Sequence, residues 1–112
     1  MEISEKKEQG AMILELNGRL DAVTAPGFGE KVLQVIEGGE NKLVLALEGL
    51  EYVSSAGLRE FLKAAKKMKS VGGKIALCSM KDYVREIFDM SGFASLIPIK
   101  DSVDQAVEEV TA

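Results

Sequence analysis

The sequence predicts a single α/β domain, residues 1–112, built on a mixed sheet. Three observations carry this. After residue 20, short apolar runs alternate with amphipathic stretches at helical spacing, the pattern of strands joined by crossover helices and hence of parallel pairing. Before residue 20, two strand-like segments are separated only by Gln9-Gly10, a hairpin that adds antiparallel pairing. Finally, 112 residues of which 46% are apolar suffice for one core, and no Pro/Ser-rich linker, internal repeat or low-complexity tract divides them.

The elements follow in order. Residues 2–8 and 11–17 read as the hairpin strands, the second with Met12, Leu14 and Leu16 on one face. Gly18-Arg19-Leu20-Asp21 is expected to turn out of it. Thr24 can cap a first helix, and Pro26 is tolerated in its first turn, where backbone donors have no helical partner. Phe28, Val32, Val35 and Ile36 give that helix its stripe, and Gly38-Gly39 ends it. Lys42 to Leu47 reads as a strand buried on both faces and so central in the sheet. A second helix follows Ser54-Ser55-Ala56-Gly57, with Leu58, Phe61, Leu62, Ala65 and Met68 inward and Arg59, Lys63, Lys66 and Lys67 outward. Val71-Gly72-Gly73 stops it. Lys74 to Cys78 is another buried strand. Ser79 and Asp82 have the spacing of a capping box; Met80, Val84, Ile87 and Phe88 stripe the third helix, and Gly92 terminates it. Leu96-Ile97-Pro98-Ile99 can only be a short or edge strand, because Pro98 lacks a ladder donor. Ser102 and Gln105 form another capping box before a last helix lined by Val103, Ala106, Val107 and Val110. The order is β-β-α-β-α-β-α-β-α.

Composition removes whole classes of chemistry. The chain has no histidine, which excludes a Ser-His-Asp or Cys-His pair within it and removes the commonest ligand of catalytic zinc, copper or iron. Its one cysteine, Cys78, can form neither an internal disulfide nor a thiolate cluster, and in a buried strand it reads as a small core hydrophobe. No metal or cofactor is expected, and no G-x-x-x-x-G-K-[ST] loop offers a nucleotide site. Nothing approaches the ~20 apolar residues of a membrane helix, and Met1-Glu2-Ile3-Ser4-Glu5 lacks the pattern of a signal peptide. A cytoplasmic domain is the expectation.

Function in open α/β sheets gathers where strands end and helices begin. Two such junctions stand out, Gly18-Arg19-Leu20-Asp21 and Tyr52-Val53-Ser54-Ser55-Ala56-Gly57-Leu58. A hydroxyl just ahead of the second helix meets unpaired N–H groups and the positive end of the helix dipole. Ser54 or Ser55 is either an N-cap, worth ~1 kcal/mol, or a phosphorylation site, where the same groups stabilise a phosphoryl charge of about −1.5 to −2.

Gly18-Arg19-Leu20-Asp21, the segment Tyr52–Arg59, Val71-Gly72-Gly73-Lys74 and Ile87-Phe88-Asp89-Met90-Ser91-Gly92-Phe93 together, in this order and over nearly the whole chain, resemble the STAS domain family, whose prototypes are bacterial anti-sigma factor antagonists. The resemblance implies a four- or five-stranded mixed sheet with helices mainly on one side. It also implies partner switching without catalysis. The unphosphorylated antagonist binds an anti-sigma factor, a serine kinase of the histidine-kinase-like ATPase fold, and frees a sigma factor. Phosphorylation breaks that complex, and a metal-dependent PP2C-type phosphatase restores it. The family motif is usually Asp-Ser-Ser/Thr/Ala-Gly-Leu. Aligned on Gly57-Leu58, it places the acceptor at Ser55 and puts Ser54 where the family has Asp, with Ala56 and Gly57 completing the acceptor's surroundings. Asp21 matches an acidic residue that family geometry puts near the acceptor; it reads equally as a turn Asp bonding the backbone that follows.

Residues 58–74 carry six basic groups (Arg59, Lys63, Lys66, Lys67, Lys69, Lys74) against one acidic, Glu60, in a chain of net charge −4. Without interleaved aromatics, and in an acidic chain, this is not the footprint of a nucleic-acid binder. It reads as a solvated lysine face or, by the resemblance, as part of a partner surface in which Leu58, Arg59, Lys63 and Thr24 meet the kinase. Met80, Met90 and Phe93 read as packing, with a Met-Phe patch at the end of the third helix the other possibility. The domain is expected to be a monomer. The alternative implied by the same family is a non-switching scaffold subunit of a lipid-transport or sensory complex. An enzyme using Ser55, Asp21 and a lysine is the remaining reading of the same residues.

Overall fold

The computed structural model describes the backbone of residues 1–112 and every side chain save that of residue 94. Strand β1 (Glu2–Glu8) pairs antiparallel with β2 (Ala11–Leu20) across a turn at Gln9 and Gly10, both at positive φ. There follow α1 (Ala25–Glu37), β3 (Lys42–Val53), α2 (Ser55–Ser70), β4 (Lys74–Cys78), α3 (Asp82–Met90), a 3-10 turn (Phe93–Ser95), β5 (Ile99–Lys100) and α4 (Val103–Thr111). The five strands lie in the order β1-β2-β3-β4-β5, every pair after the first parallel. The expected class and element order are therefore those observed.

Strand alternation distributes the core. Leu43, Leu45 and Leu47 of β3 point to one side of the sheet, where α1, α2 and α3 cover them. Val44 and Ala46 point to the other, where α4 alone brings Ala106, Val107 and Val110 against Ala76 and Cys78. Helices thus lie mainly on one side. All four phenylalanines fall in the larger core as a chain of ring contacts: Phe28 to Phe61 at 5.0 Å, Phe61 to Phe88 at 5.2 Å and Phe88 to Phe93 at 5.6 Å. They tie α1, α2, α3 and the 3-10 turn together. Phe93 is accordingly buried and Met80 packs partly on the core, as the packing reading has it, but Met90 does not pack: it is 88% exposed, and with Phe93 inside no Met-Phe patch forms.

Several local expectations need correcting. β2 does not turn at Gly18; register shifts after Glu15 and Gly18 absorb the glycine, at φ +117, and carry the strand to Leu20. β3 does not stop at Leu47 but runs to Val53, leaving the cover of α4 and becoming half exposed. Thr24 ends in helical geometry and its hydroxyl does not cap α1. The Ser79–Asp82 capping box does not form: Ser79 adopts φ +62, and Lys81 is the residue before α3, without a side-chain cap. On α2 it is Ala64, not Ala65, that is fully buried with Phe61 and Met68, while Leu58, Leu62 and Ala65 pack partly on the core. The Ser102 cap forms as expected, Oγ accepting from the Gln105 N–H at 3.2 Å. Gly92 is left-handed at the end of α3, and β5 is a two-residue edge strand.

Candidate functional site

The junction between β3 and α2 is set by backbone contacts with β2. The parallel register pairs Arg19 with Tyr52 and Leu20 with Val53. The ladder closes with the Ser54 N–H donating to the Leu20 carbonyl at 2.8 Å. The chain then turns at once into α2, and Gly57 makes this possible. A Cβ at residue 57 would stand 2.8 Å from Leu20 Cγ and 2.9 Å from Val53 Cγ2, so only glycine lets the first turn of α2 settle on the ends of β2 and β3.

That placement separates the roles of two adjacent serines. Ser54 is extended (φ −91, ψ 174) and is the N-cap: its Oγ accepts from the Gly57 N–H at 3.2 Å, and its carbonyl accepts the first helical bond, from the Leu58 N–H at 2.9 Å. Ser55 is the first helical residue. It is exposed, and its Oγ makes no hydrogen bond among the described residues. No acidic side chain occupies the first turn of α2, while Lys67 and Lys69 occupy its last. The N-terminus is therefore uncompensated, with Ser55 and Ala56 contributing N–H groups that have no helical acceptor.

Asp21 caps its own turn. Its Oδ1 accepts from the N–H groups of Val23 at 3.0 Å and Thr24 at 3.1 Å. The Thr24 hydroxyl donates to the Arg19 carbonyl at 2.8 Å and accepts from the Asp21 N–H at 2.9 Å. These bonds, the Thr24 N–H first among them, hold the Asp21 carboxyl below the usual aspartate range. Asp21 thus makes the bonds of a turn aspartate. No hydrogen bond joins Asp21 to either serine among the described residues, although the Leu20–Ser54 bond makes their backbones neighbours.

The remaining positions divide between core and surface. Ala56 and Leu58 pack partly against the core, and Gly57 is buried. Arg59 is exposed and forms no ion pair among the described residues, whereas Lys63 pairs with Glu60 at 3.2 Å on the exposed face of α2. Thr24 is half-buried with its hydroxyl committed to the turn. Lys74 belongs to β4 and donates to the carbonyl of Ala112. Two features escaped the sequence reading. Val23, 87% exposed, stands out from the rigid Asp21 turn. The Arg19 guanidinium lies 4.5 Å from the Tyr52 ring centre; a signal for it existed, since neighbouring parallel strands bring residues just before their turns side by side. Cys78 is buried, and loss of solvent raises its pKa, making it a poor nucleophile. Among the described residues no cluster of three or more His, Cys, Asp or Glu could hold a metal, and no helix is long and apolar enough to cross a membrane.

A five-stranded mixed sheet flanked by four helices is the α/β architecture shared with solved anti-sigma factor antagonist structures. The STAS domain family profile matches residues 2–106, and the chain belongs to that family. Its relatives include BtrV of Bordetella bronchiseptica, 37% identical over 95% of this chain and 91% of the relative. The anti-sigma F factor antagonist of Paenibacillus polymyxa is 29% identical over 98% and 95% of the two chains. Among solved structures, the Thermotoga maritima protein TM1081 superposes with a TM-score of 0.92 at 27% identity, covering 98% of this chain and 95% of its own.

Proposed function

We propose that the protein is an anti-sigma factor antagonist that works by partner switching in the cytoplasm, with no catalysis of its own. The unmodified form binds an anti-sigma kinase of the histidine-kinase-like ATPase fold and so releases a sigma factor. The kinase then transfers the γ-phosphoryl group of ATP to Ser55. The Ser55 oxygen bonds to phosphorus, ADP leaves, and the hydroxyl proton passes to a base of the kinase. A PP2C-type phosphatase hydrolyses the ester with water to restore the hydroxyl and release phosphate.

The observation that carries this reading is the division of labour between the serines. Ser54 caps α2, so Ser55 is free for chemistry without cost to the helix. A dianion at Ser55 meets the open N–H groups of the first turn and needs no unfolding to be accommodated. The docking face would comprise the start of α2, with Leu58, Arg59 and Lys63, and the β2–α1 turn with Thr24. The new charge would change that face without changing the fold.

The test is incubation with a cognate kinase and ATP followed by mass spectrometry, with phosphate expected at Ser55 and nowhere else. Ser55→Ala should hold the kinase in a permanent complex and Ser55→Glu should bind it poorly. Phosphate at another residue, or equal affinity of the two variants, overturns the switch. The scaffold reading draws on Ser54, which replaces the family's usual acidic neighbour with a neutral one. Its signature is co-purification with a transport ATPase or sensory assembly and no modification of Ser55.

A further inference from the structure

The Arg19 side chain is an exposed cation that forms no ion pair among the described residues and rests on an aromatic ring. It is also placed at the junction just described. Arg19 neighbours Tyr52 in the β2–β3 ladder, Leu20 neighbours Val53, and the next bond in line is the Leu20 carbonyl with the Ser54 N–H at 2.8 Å. Ser55 follows directly. The guanidinium adds to the lowering of the Asp21 carboxyl two residues away. Asp21 does not tie it up: no ion pair joins the two among the described residues, and the Asp21 bonds run through Oδ1 to the N–H groups of Val23 and Thr24.

We propose that Arg19 is the internal counter-ion of a phosphoryl group on Ser55: modification draws its guanidinium off the Tyr52 ring onto the phosphate and so removes a cation from the docking face. The inference rests on Ser55 as the acceptor and specifies how the modification is read out. The exchange is downhill. A single cation–π contact between an exposed guanidinium and a half-buried ring is among the weaker interactions available to arginine, whereas a phosphate dianion offers its planar fork two charge-assisted hydrogen bonds. The local charges also require it. Asp21 on the β2–α1 turn and Glu51 near the end of β3 are the acidic residues on the two strand ends that meet at Ser54, and with Ser54 neutral the arginines flanking this junction are Arg19 and Arg59. A dianion beside Asp21 is repelled unless one of those cations screens it. Arg59 lies four residues along the same helix and is the competing partner.

Phosphoserine built into position 55 during synthesis removes any dependence on a kinase. Phosphorus NMR then follows the second ionisation of the phosphate against pH. In the parent the midpoint should lie below the ~6 of an unpaired phosphoserine. Arg19→Gln should raise it by several tenths of a unit, Arg19→Lys by less, and Arg59→Gln by less than Arg19→Gln. The Tyr52 ring resonances should shift on phosphorylation in the parent and stay still in Arg19→Gln. Arg19 is exposed, so the amide spectrum should show both Arg19 variants folded. An unchanged midpoint in Arg19→Gln, a shift carried by Arg59→Gln instead, or a Tyr52 ring indifferent to phosphorylation would overturn the proposal. Failure of the Ser55 reading shows itself separately, as a kinase that modifies some other residue.

Discussion

Replacing Ser54 and Ser55 by alanine, one at a time, should give opposite answers for stability and for switching. Ser54→Ala deletes the side-chain acceptor at the start of α2 and leaves the Gly57 N–H without its 3.2 Å partner. Gly57 is buried beneath the ends of β2 and β3, so water cannot readily replace the lost acceptor. The loss of such a cap costs about 1 kcal/mol. With a urea slope of about 1.5 kcal/mol/M, the unfolding midpoint should fall by roughly 0.7 M. Ser55→Ala removes a hydroxyl that makes no hydrogen bond among the described residues and substitutes a better helix former. It should therefore stay within about 0.5 kcal/mol of the parent.

Urea unfolding followed by circular dichroism measures both. If Ser55→Ala costs as much as Ser54→Ala, the assignment of cap and acceptor is inverted and the phosphorylation argument goes with it. Ser54→Asp completes the series. It keeps the cap and adds a charge that the unfilled helix N-terminus favours by about 0.3–1 kcal/mol. The same carboxylate stands beside the acceptor, so the phosphorylated form of this variant should gain less stability from it than the unmodified form does.

Three further outcomes test the framework. Asp21 has a folded pKa below its ordinary 3.8; a depressed carboxyl stabilises the fold above its unfolded pKa and loses that contribution as pH falls through the folded value. The urea midpoint should accordingly drop on acidification below about pH 4, and Asp21→Asn should flatten part of that drop. Phe61 touches both Phe28 and Phe88, so Phe61→Ala should destabilise by about 3–5 kcal/mol in calorimetry, far more than any change at the serines. Cys78 is buried with its pKa raised by loss of solvent, so an aromatic disulfide reagent should react with it only as fast as the protein unfolds; rapid labelling of the native state would contradict its burial.

Sequence periodicity disclosed most of the architecture because burial imposes it. The alternation of Leu43, Val44, Leu45 and Ala46 is legible because both faces of the sheet are covered there. It fades after Leu47, where α4 no longer covers the far face, and that is why the second half of β3 went unseen. Glycine misled in the same region. Gly18 looks like a turn but is taken up by a bulge, and which of Asp21 and Thr24 caps the turn depends on where β2 ends. The Ser79–Asp82 spacing fails for a related reason: a capping box needs an extended residue at its head, and Ser79 is left-handed.

The hydroxyls at the helix start were legible from their junction, but which of them is exposed was not, because adjacent serines at a helix start are equivalent on paper. What distinguishes them is Gly57. By letting α2 sit directly on Leu20 and Val53, it fixes the angle at which the helix leaves the sheet. That angle turns the Ser54 oxygen back toward the Gly57 N–H and leaves the Ser55 oxygen in solvent. A Cβ at position 57 gains about 1 kcal/mol of helix propensity against an overpacking cost of about 1–3 kcal/mol. Its larger consequence is geometric. A helix start pushed off the ends of β2 and β3 would no longer present Ser55 and the Asp21 turn side by side, so Gly57→Ala should weaken the proposed switching before it costs the fold.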